Sequence, residues 1–332
     1  MTTAVAAPVA HIPSVNKPGY FSRSDLGPDS TRFFKEQGFL VVHDAVSPAE
    51  IAELKVEAAA ICRGQRGAIK IFNSPNPVDF DQLVGLSDDE VLERFLCIHQ
   101  PHKTSDIIFK FLAQKTIIDV VTAVIGPNVK SMQSMLFIKK AGKPGQAWHQ
   151  DEDYIPTRDR SLLGAWIAID NAIIQNGCLW VIPGSHKPGI LWPQFPHKDS
   201  RYDCANMSYD FPYTDADAVP VEVPAGAIVF FNGYLLHKSE PNALSTGFRR
   251  ALVNHYMSAE SFLPWHHLKD VPVAKADFRD VVMVAGKDPY AWKGYEDVAR
   301  PHVRPAGEGG CGDGRTDLPS FKQNPPDIRA KT

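Results

Sequence analysis

No stretch of this 332-residue chain approaches 18 consecutive apolar residues, so no transmembrane helix and no membrane partner are expected. Nor is there a surplus of one charge: 35 Lys and Arg stand against 38 Asp and Glu, a formal net charge of −3. Proteins that grip nucleic acid need a clustered cationic excess, and nucleic acid is not an expected partner. Cysteine is scarce and scattered. Cys62, Cys97, Cys178, Cys204 and Cys311 are odd in number and form no CxxC pair. That argues against a disulfide framework and a thiolate zinc site, and suits a reducing compartment. Residues 1–13 lack a basic n-region and are interrupted by Pro8 and Pro13, which makes a poor signal peptide. The expected setting is cytoplasmic. Internal repeats are also missing. What the chain does have is 44% apolar content, enough at this length to bury roughly three quarters of its unfolded surface.

Residues 1–27 carry Pro and Ala without a sustained period and read as an arm laid over the surface. Residues 29–37 read as a short helix closed by Gly38, and 39–42 as a strand. Ser47 can cap a helix, Pro48 fits its first position and Glu50 can reach back to the cap; Ile51, Leu54, Ala58 and Ile61 then follow at helical spacing up to Gly64. The same capping pattern recurs at Ser87–Glu90, ahead of Val91, Phe95 and Leu96, and 105–124 reads as one or two further helices. After Pro127 the texture changes. Short apolar runs at 131–139, 163–170, 178–182, 219–223, 227–231 and 249–257 are separated by Gly, Pro, Asn and Asp, the pattern of a β-sandwich or barrel. The expected organisation is a single domain over 28–300 with a β-core of about 130–260, a helical layer before it, and a Gly- and Pro-rich tail over 301–332.

The most informative stretch is Trp148-His149-Gln150-Asp151. On an extended segment residues i and i+2 leave the same face, so His149 and Asp151 can converge on one atom. One imidazole and one carboxylate are two thirds of the facial triad that holds non-haem Fe(II). Three histidines compete to complete it: His186 in a Pro-Gly-Ser-His turn, His237, and His255 within a strand. Iron oxygenases that consume a 2-oxo acid also need a cation one strand beyond the distal histidine, to pair with the acid's far carboxylate. Only His237 is followed at hairpin distance by arginine, at Arg249 and Arg250. Adjacent residues of a strand face opposite ways, and parity alone does not choose between the two arginines.

The run Ser134-Met135-Leu136, His149-Gln150-Asp151, the segment from Asn176 through Pro183-Gly184-Ser185-His186-Lys187, His237, and Gly247-Phe248-Arg249 together resemble the phytanoyl-CoA dioxygenase family over roughly residues 30–260. The resemblance implies a mainly β fold with flanking helices, a double-stranded β-helix (jelly-roll, cupin-like) core behind an N-terminal helical layer. It implies Fe(II), 2-oxoglutarate and O₂ as cofactor and co-substrates, with His149, Asp151 and His237 as iron ligands and Arg249 on the C5 carboxylate of 2-oxoglutarate. Met135, Gln150, Trp166 and Ser239 match positions that line the co-substrate pocket. A further lysine contact from the helical region has no match around Gln100 and Lys103. The implied activity is hydroxylation, or oxidative dealkylation, of a small-molecule metabolite with release of succinate and CO₂. Related halogenases lack the carboxylate, so Asp151 favours these outcomes over chlorination. A zinc-dependent hydrolase or cupin-like isomerase on the same three ligands would leave Arg249 without a role. Phe72, Tyr154 and Trp180 could shape a substrate cavity. Residues 192–216 form a long polar insertion that reads equally as a lid or as solvated decoration. Cys311 reads as a tail cysteine rather than a reactive thiol.

Overall fold

Helix caps, apolar runs and turn residues place most elements locally. The computed structural model describes residues 12–71, 78–203, 206–261, 281–294 and 300–305. Its helices are α1 (Pro28–Gln37), α2 (Pro48–Cys62), α3 (Asp88–Leu92), α4 (Asp106–Phe111), α5 (Lys115–Val124) and α6 (Asp151–Tyr154). The first strands are β1 (Tyr20–Phe21), β2 (Phe39–Val42), β3 (Lys70–Ile71), β4 (Phe95–His99), β5 (Val129–Lys140), β6 (Gln146–His149), β7 (Leu163–Ala168) and β8 (Leu179–Val181). They are followed by β9 (Gln194–Pro196), β10 (Asn206–Ser208), β11 (Val219–Val221), β12 (Ile228–Asn232), β13 (His237–Ser239), β14 (Phe248–Ser258), β15 (Val282–Ala285) and β16 (His302–Pro305).

The long helix α2 starts as its sequence dictates. The Ser47 hydroxyl accepts from the Glu50 amide at 3.3 Å, and the Glu50 carboxylate accepts from the Ser47 amide at 2.8 Å. Each bond satisfies a donor that the first helical turn leaves without a partner. Ile51, Leu54, Ala58 and Ile61 of α2 pack with Ile117, Val120 and Val121 of α5 against one face of a large sheet, meeting Leu136, Ile138, Ile167, Leu252 and Tyr256.

That sheet has ten strands in the order β1-β2-β12-β7-β14-β5-β4-β16-β3, with β15 also on β5. β14 lies near its middle, antiparallel to β5 on one side and β7 on the other. The opposite face packs Trp166, Phe231, Ala251 and Val253 toward Leu179, Val181 and Val221. Those partners come from a four-stranded sheet in the order β11-β8-β13-β6. Among the described residues a third, two-stranded sheet joins β9 to β10 within 192–216. Trp192, Met207, Phe211 and Tyr213 of this segment pack on Trp148, Ile182 and Leu236, covering the outer side of the small sheet. The fold is thus a mixture of helices and several sheets, with α1–α5 behind the large sheet and a cavity between the large and small ones.

Two stretches differ from the expectation. The helix capped at Ser87 ends at Leu92, and Phe95–His99 is a strand between β5 and β16. Phe-Leu-Cys-Ile-His carries aromatic and β-branched residues buried on both faces, a burden a sheet interior meets better than one helical turn. Residues 302–305, inside the expected tail, pair antiparallel with β4 and parallel with β3. Val303 there is fully buried. Phe72 and Cys311 lie outside the described residues.

Candidate functional site

β6 and β13 are antiparallel neighbours, and their register sets His237 directly opposite His149. Their ring centroids are 4.1 Å apart, and both side chains are buried. Each imidazole is fixed by its own chain: His149 Nδ1 lies 2.7 Å from the Ala147 carbonyl and His237 Nδ1 lies 3.0 Å from the Leu235 carbonyl. A carbonyl only accepts, so both Nδ1 atoms carry the proton and both Nε2 atoms present a lone pair. Those lone pairs meet Asp151, whose Oδ1 is 3.6 Å from each Nε2. Asp151 reaches this point because β6 ends at His149 and the chain turns into α6 at Asp151.

The donor atoms of His149, Asp151 and His237 lie within 4.8 Å of one another. Two neutral nitrogens and one carboxylate oxygen on one side of a point, each already aimed, fit an iron(II) site of the two-histidine, one-carboxylate type. Burial, reinforced by His237, lowers the His149 pKa to about 4. Burial alone would raise the Asp151 carboxyl, but His237 and the bond from His255 hold it well below the usual carboxylate range.

Along β14, residues 249, 251, 253 and 255 face the cavity, and 250, 252, 254 and 256 face the helices. Arg250 is engaged by Asp170 through two bonds of 2.8 Å, and Lys55 of α2 meets the same carboxylate at 3.1 Å. Arg249 is 3% exposed and its guanidinium lies over the Trp166 ring, 5.4 Å from the centroid. The Arg249 Nε has no hydrogen-bond partner among the described residues. Burial lowers the Arg249 pKa to about 10. A buried guanidinium with an unused donor fits an anion's carboxylate, which supplies the charge and the acceptor it lacks.

Met135, Trp166, Ser239 and Arg249 line one cavity of about 220 Å³ together with the three triad residues and Tyr154. Gln150 does not, and this corrects the expectation. Its amide donates to the Ile190 carbonyl at 2.9 Å and the Tyr234 carbonyl at 2.7 Å, and accepts from the Trp192 amide at 2.8 Å. Alternation along the strand turns it away from its neighbours 149 and 151, where it ties the metal-binding turn to the start of the 192–216 insertion. His186 is remote from the cavity lining and sits 3.1 Å from the Lys35 carbonyl. Trp180 packs with the aromatic cluster under the insertion, and neither Gln100 nor Lys103 lines the cavity.

Sequence reasoning weighed His255 only as a rival metal ligand, and missed Gln133 and Lys139. His255 reaches Asp151, with Nε2 2.9 Å from Oδ2. Gln133, opposite His255 on β5, lines the cavity as well. Lys139, opposite Arg249 on β5, is buried and donates to the Ser239 hydroxyl at 2.9 Å and the Glu240 carbonyl at 2.7 Å. Burial and the neighbouring Arg249 press the Lys139 pKa well below its usual value. The signal was present as an i, i+2 count from Arg249 along β14 and from Met135 along β5.

Residues 34–251 match the profile of the family described as Phytanoyl-CoA dioxygenase (PhyH). The chain is 29% identical over 258 residues to phytanoyl-CoA dioxygenase 1 of Oryza sativa subsp. japonica, covering 71% of this chain and 90% of that protein. It is 30% identical over 244 residues to the peroxisomal phytanoyl-CoA dioxygenase of Rattus norvegicus, covering 71% of this chain and 69% of the relative. Among solved structures it resembles the non-heme monooxygenase ThoJ in its apo form, with TM-score 0.58, 21% identity, and coverage of 82% and 88% of the two chains.

Proposed function

Because this chain belongs to the phytanoyl-CoA dioxygenase family of 2-oxoglutarate-dependent non-haem iron enzymes, we propose that it hydroxylates, or oxidatively dealkylates, a small-molecule metabolite. His149, Asp151 and His237 hold the iron and Arg249 holds 2-oxoglutarate. The observation that carries this reading is the Arg249 guanidinium, buried in the cavity that the triad borders with its Nε unpartnered among the described residues.

When bound, iron(II) supplies O₂ activation coupled to decarboxylation of 2-oxoglutarate to succinate and CO₂. The residues of the chain do the rest. His149 and His237 give neutral nitrogen donors held in place before the ion arrives, and Asp151 gives the negative charge. Arg249 offers a planar fork to the C5 carboxylate, and Trp166 holds the plane of that fork. Ser239 Oγ accepts from Lys139 Nζ and lies 3.3 Å from the Gln146 amide nitrogen. With its acceptor sites used, Ser239 has its own proton left to donate toward the co-substrate. Met135 and Phe137 make the wall apolar and exclude water, which strengthens each charge contact inside.

In this reading the two facing sheets are the halves of a jelly roll. A single catalytic domain spans about 28–305, with an arm before it and Gly- and Pro-rich sequence after it. The insertion 192–216 bears on substrate choice through Gln194, whose side-chain oxygen accepts from the cavity residue Tyr154 at 2.8 Å. A cytoplasmic setting rests on the cysteine usage, and no described helix is long and apolar enough to cross a membrane.

The test is succinate release from 2-oxoglutarate in air, across a metabolite panel, after anaerobic iron loading. Turnover that consumes O₂ and 2-oxoglutarate in step with product is the expected result. Turnover of a substrate with neither consumed would replace this reading with a hydrolase or isomerase on the same ligands.

A further inference from the structure

The two oxygens of Asp151 are already divided between partners. Oδ1 stands 3.6 Å from the Nε2 atoms of both His149 and His237, while Oδ2 is 2.9 Å from His255 Nε2. We propose that His255 is a positioning residue whose Nε2–H pins Oδ2, so that Asp151 turns a single oxygen toward the metal. The inference rests on the reading that His149, Asp151 and His237 hold iron(II).

The placement of His255 supports this role. It is 4% exposed, on a strand paired along both edges, opposite Gln133 of β5 and Gly164 of β7. At this point the β14–β5 register slips: His255 pairs with Gln133 and Tyr256 with Ser131, leaving Met132 as an extra residue. A bulge of this kind bends the local twist and re-aims a side chain, and bulges gather beside active sites. A carboxylate only accepts, so the shared proton resides on His255 Nε2 and sets that tautomer. Three alternations along one strand separate His255 from Arg249. One rigid element therefore carries both the co-substrate's cation and the partner of the acidic ligand.

Without the N–H at Oδ2, that oxygen would be buried and unpartnered, which is costly. The carboxylate would then be free to rotate, and Oδ1 would lose the aim that sets it 3.6 Å from both imidazole nitrogens. His255 keeps that oxygen aimed.

The experiment compares wild type, His255→Ala and His255→Gln, each loaded anaerobically with Fe(II) and titrated with 2-oxoglutarate. It reads the Fe(II) dissociation constant and the visible iron-to-2-oxoglutarate charge-transfer band, which reports chelation independently of turnover. Removing an outer partner of a metal ligand typically weakens metal binding about 10- to 100-fold. His255→Ala is expected to lose that much and to diminish the band, while His255→Gln, whose amide N–H can reach Oδ2, restores most of both. Should His255→Ala not fold, His255→Met fills the same volume without a donor and takes its place. A folded Ala or Met variant with wild-type affinity and band overturns the role of His255 while leaving the ligand assignment intact. A folded Gln variant as impaired as Ala overturns it as well. Absence of the band from wild type would overturn the ligand assignment and this inference together.

Discussion

Among the described residues Arg249 has a guanidinium donor, Nε, with no partner, whereas Arg250, one residue on, is bonded twice by Asp170. Truncating one member of a buried charge pair costs roughly 2–5 kcal/mol. Arg249→Ala should therefore weaken 2-oxoglutarate binding by about thirty-fold or more, measured by calorimetric titration of the iron-loaded protein. Arg250→Ala should leave that affinity nearly unchanged and lower thermal stability instead, because it strips a partner from Asp170. Equal losses of affinity would reverse the assigned faces. A second residue-scale prediction concerns Glu152. Burial pushes its carboxyl up to about 7, although Oε1 accepts two bonds of 2.6 Å from Thr157. A carboxyl raised on folding adds stability that is full below the unfolded value, near 4.5, and is lost as pH climbs through about 7. Glu152→Gln is neutral at every pH. Its melting temperature relative to wild type should rise between about pH 5 and pH 8, and a flat difference would contradict the shifted carboxyl.

At the scale of elements, β13 is shaped by glycines that approach its far end. Gly177 has φ +79°, and a Cβ there would collide with the Glu240 carbonyl oxygen; a Cβ at Gly145 would collide with that of Ser239. Gly177→Ala should cost roughly 1–3 kcal/mol in chemical denaturation. It should also raise the KM for 2-oxoglutarate, because Ser239 and the Lys139 bonds to Ser239 and Glu240 move with that backbone. Elements with a local cause were legible beforehand. Ser47 and Glu50 announce α2 because a capping box is complete within four residues. The triad was legible because His149 and Asp151 share a face by alternation and the arginine follows His237 at one hairpin's distance. β4 was not, since Ser87 caps a helix that ends after one turn and Phe95–His99 is claimed by partners far along the chain. β16 was hidden by a composition rich in Pro and Gly, and its pairing with β4 spans some two hundred residues. Gln150 and His255 show the same limit at the site. The alternation that turns one away and brings the other in is readable, but the bonds they make depend on strands that sequence does not pair.

Taken whole, the molecule is a large sheet with chemistry on one side and helices on the other, and β14 belongs to both. Its cavity face carries Arg249 and His255. Its helical face carries Arg250, joined through Asp170 to Lys55 of α2, with Asn254 donating to the Phe111 carbonyl at 3.2 Å and the Tyr256 hydroxyl to the Leu112 carbonyl at 2.9 Å. Anything that binds the folded state alone deepens it by mass action, and opening free energies are shared within contiguous units. Adding 2-oxoglutarate to the iron-loaded protein should therefore slow amide hydrogen exchange in α2 as well as in β14. Protection confined to the cavity-facing strands would show that the two sides open separately. If the protection does cross the sheet, a helix with no atom in the cavity becomes a gauge of what the cavity holds.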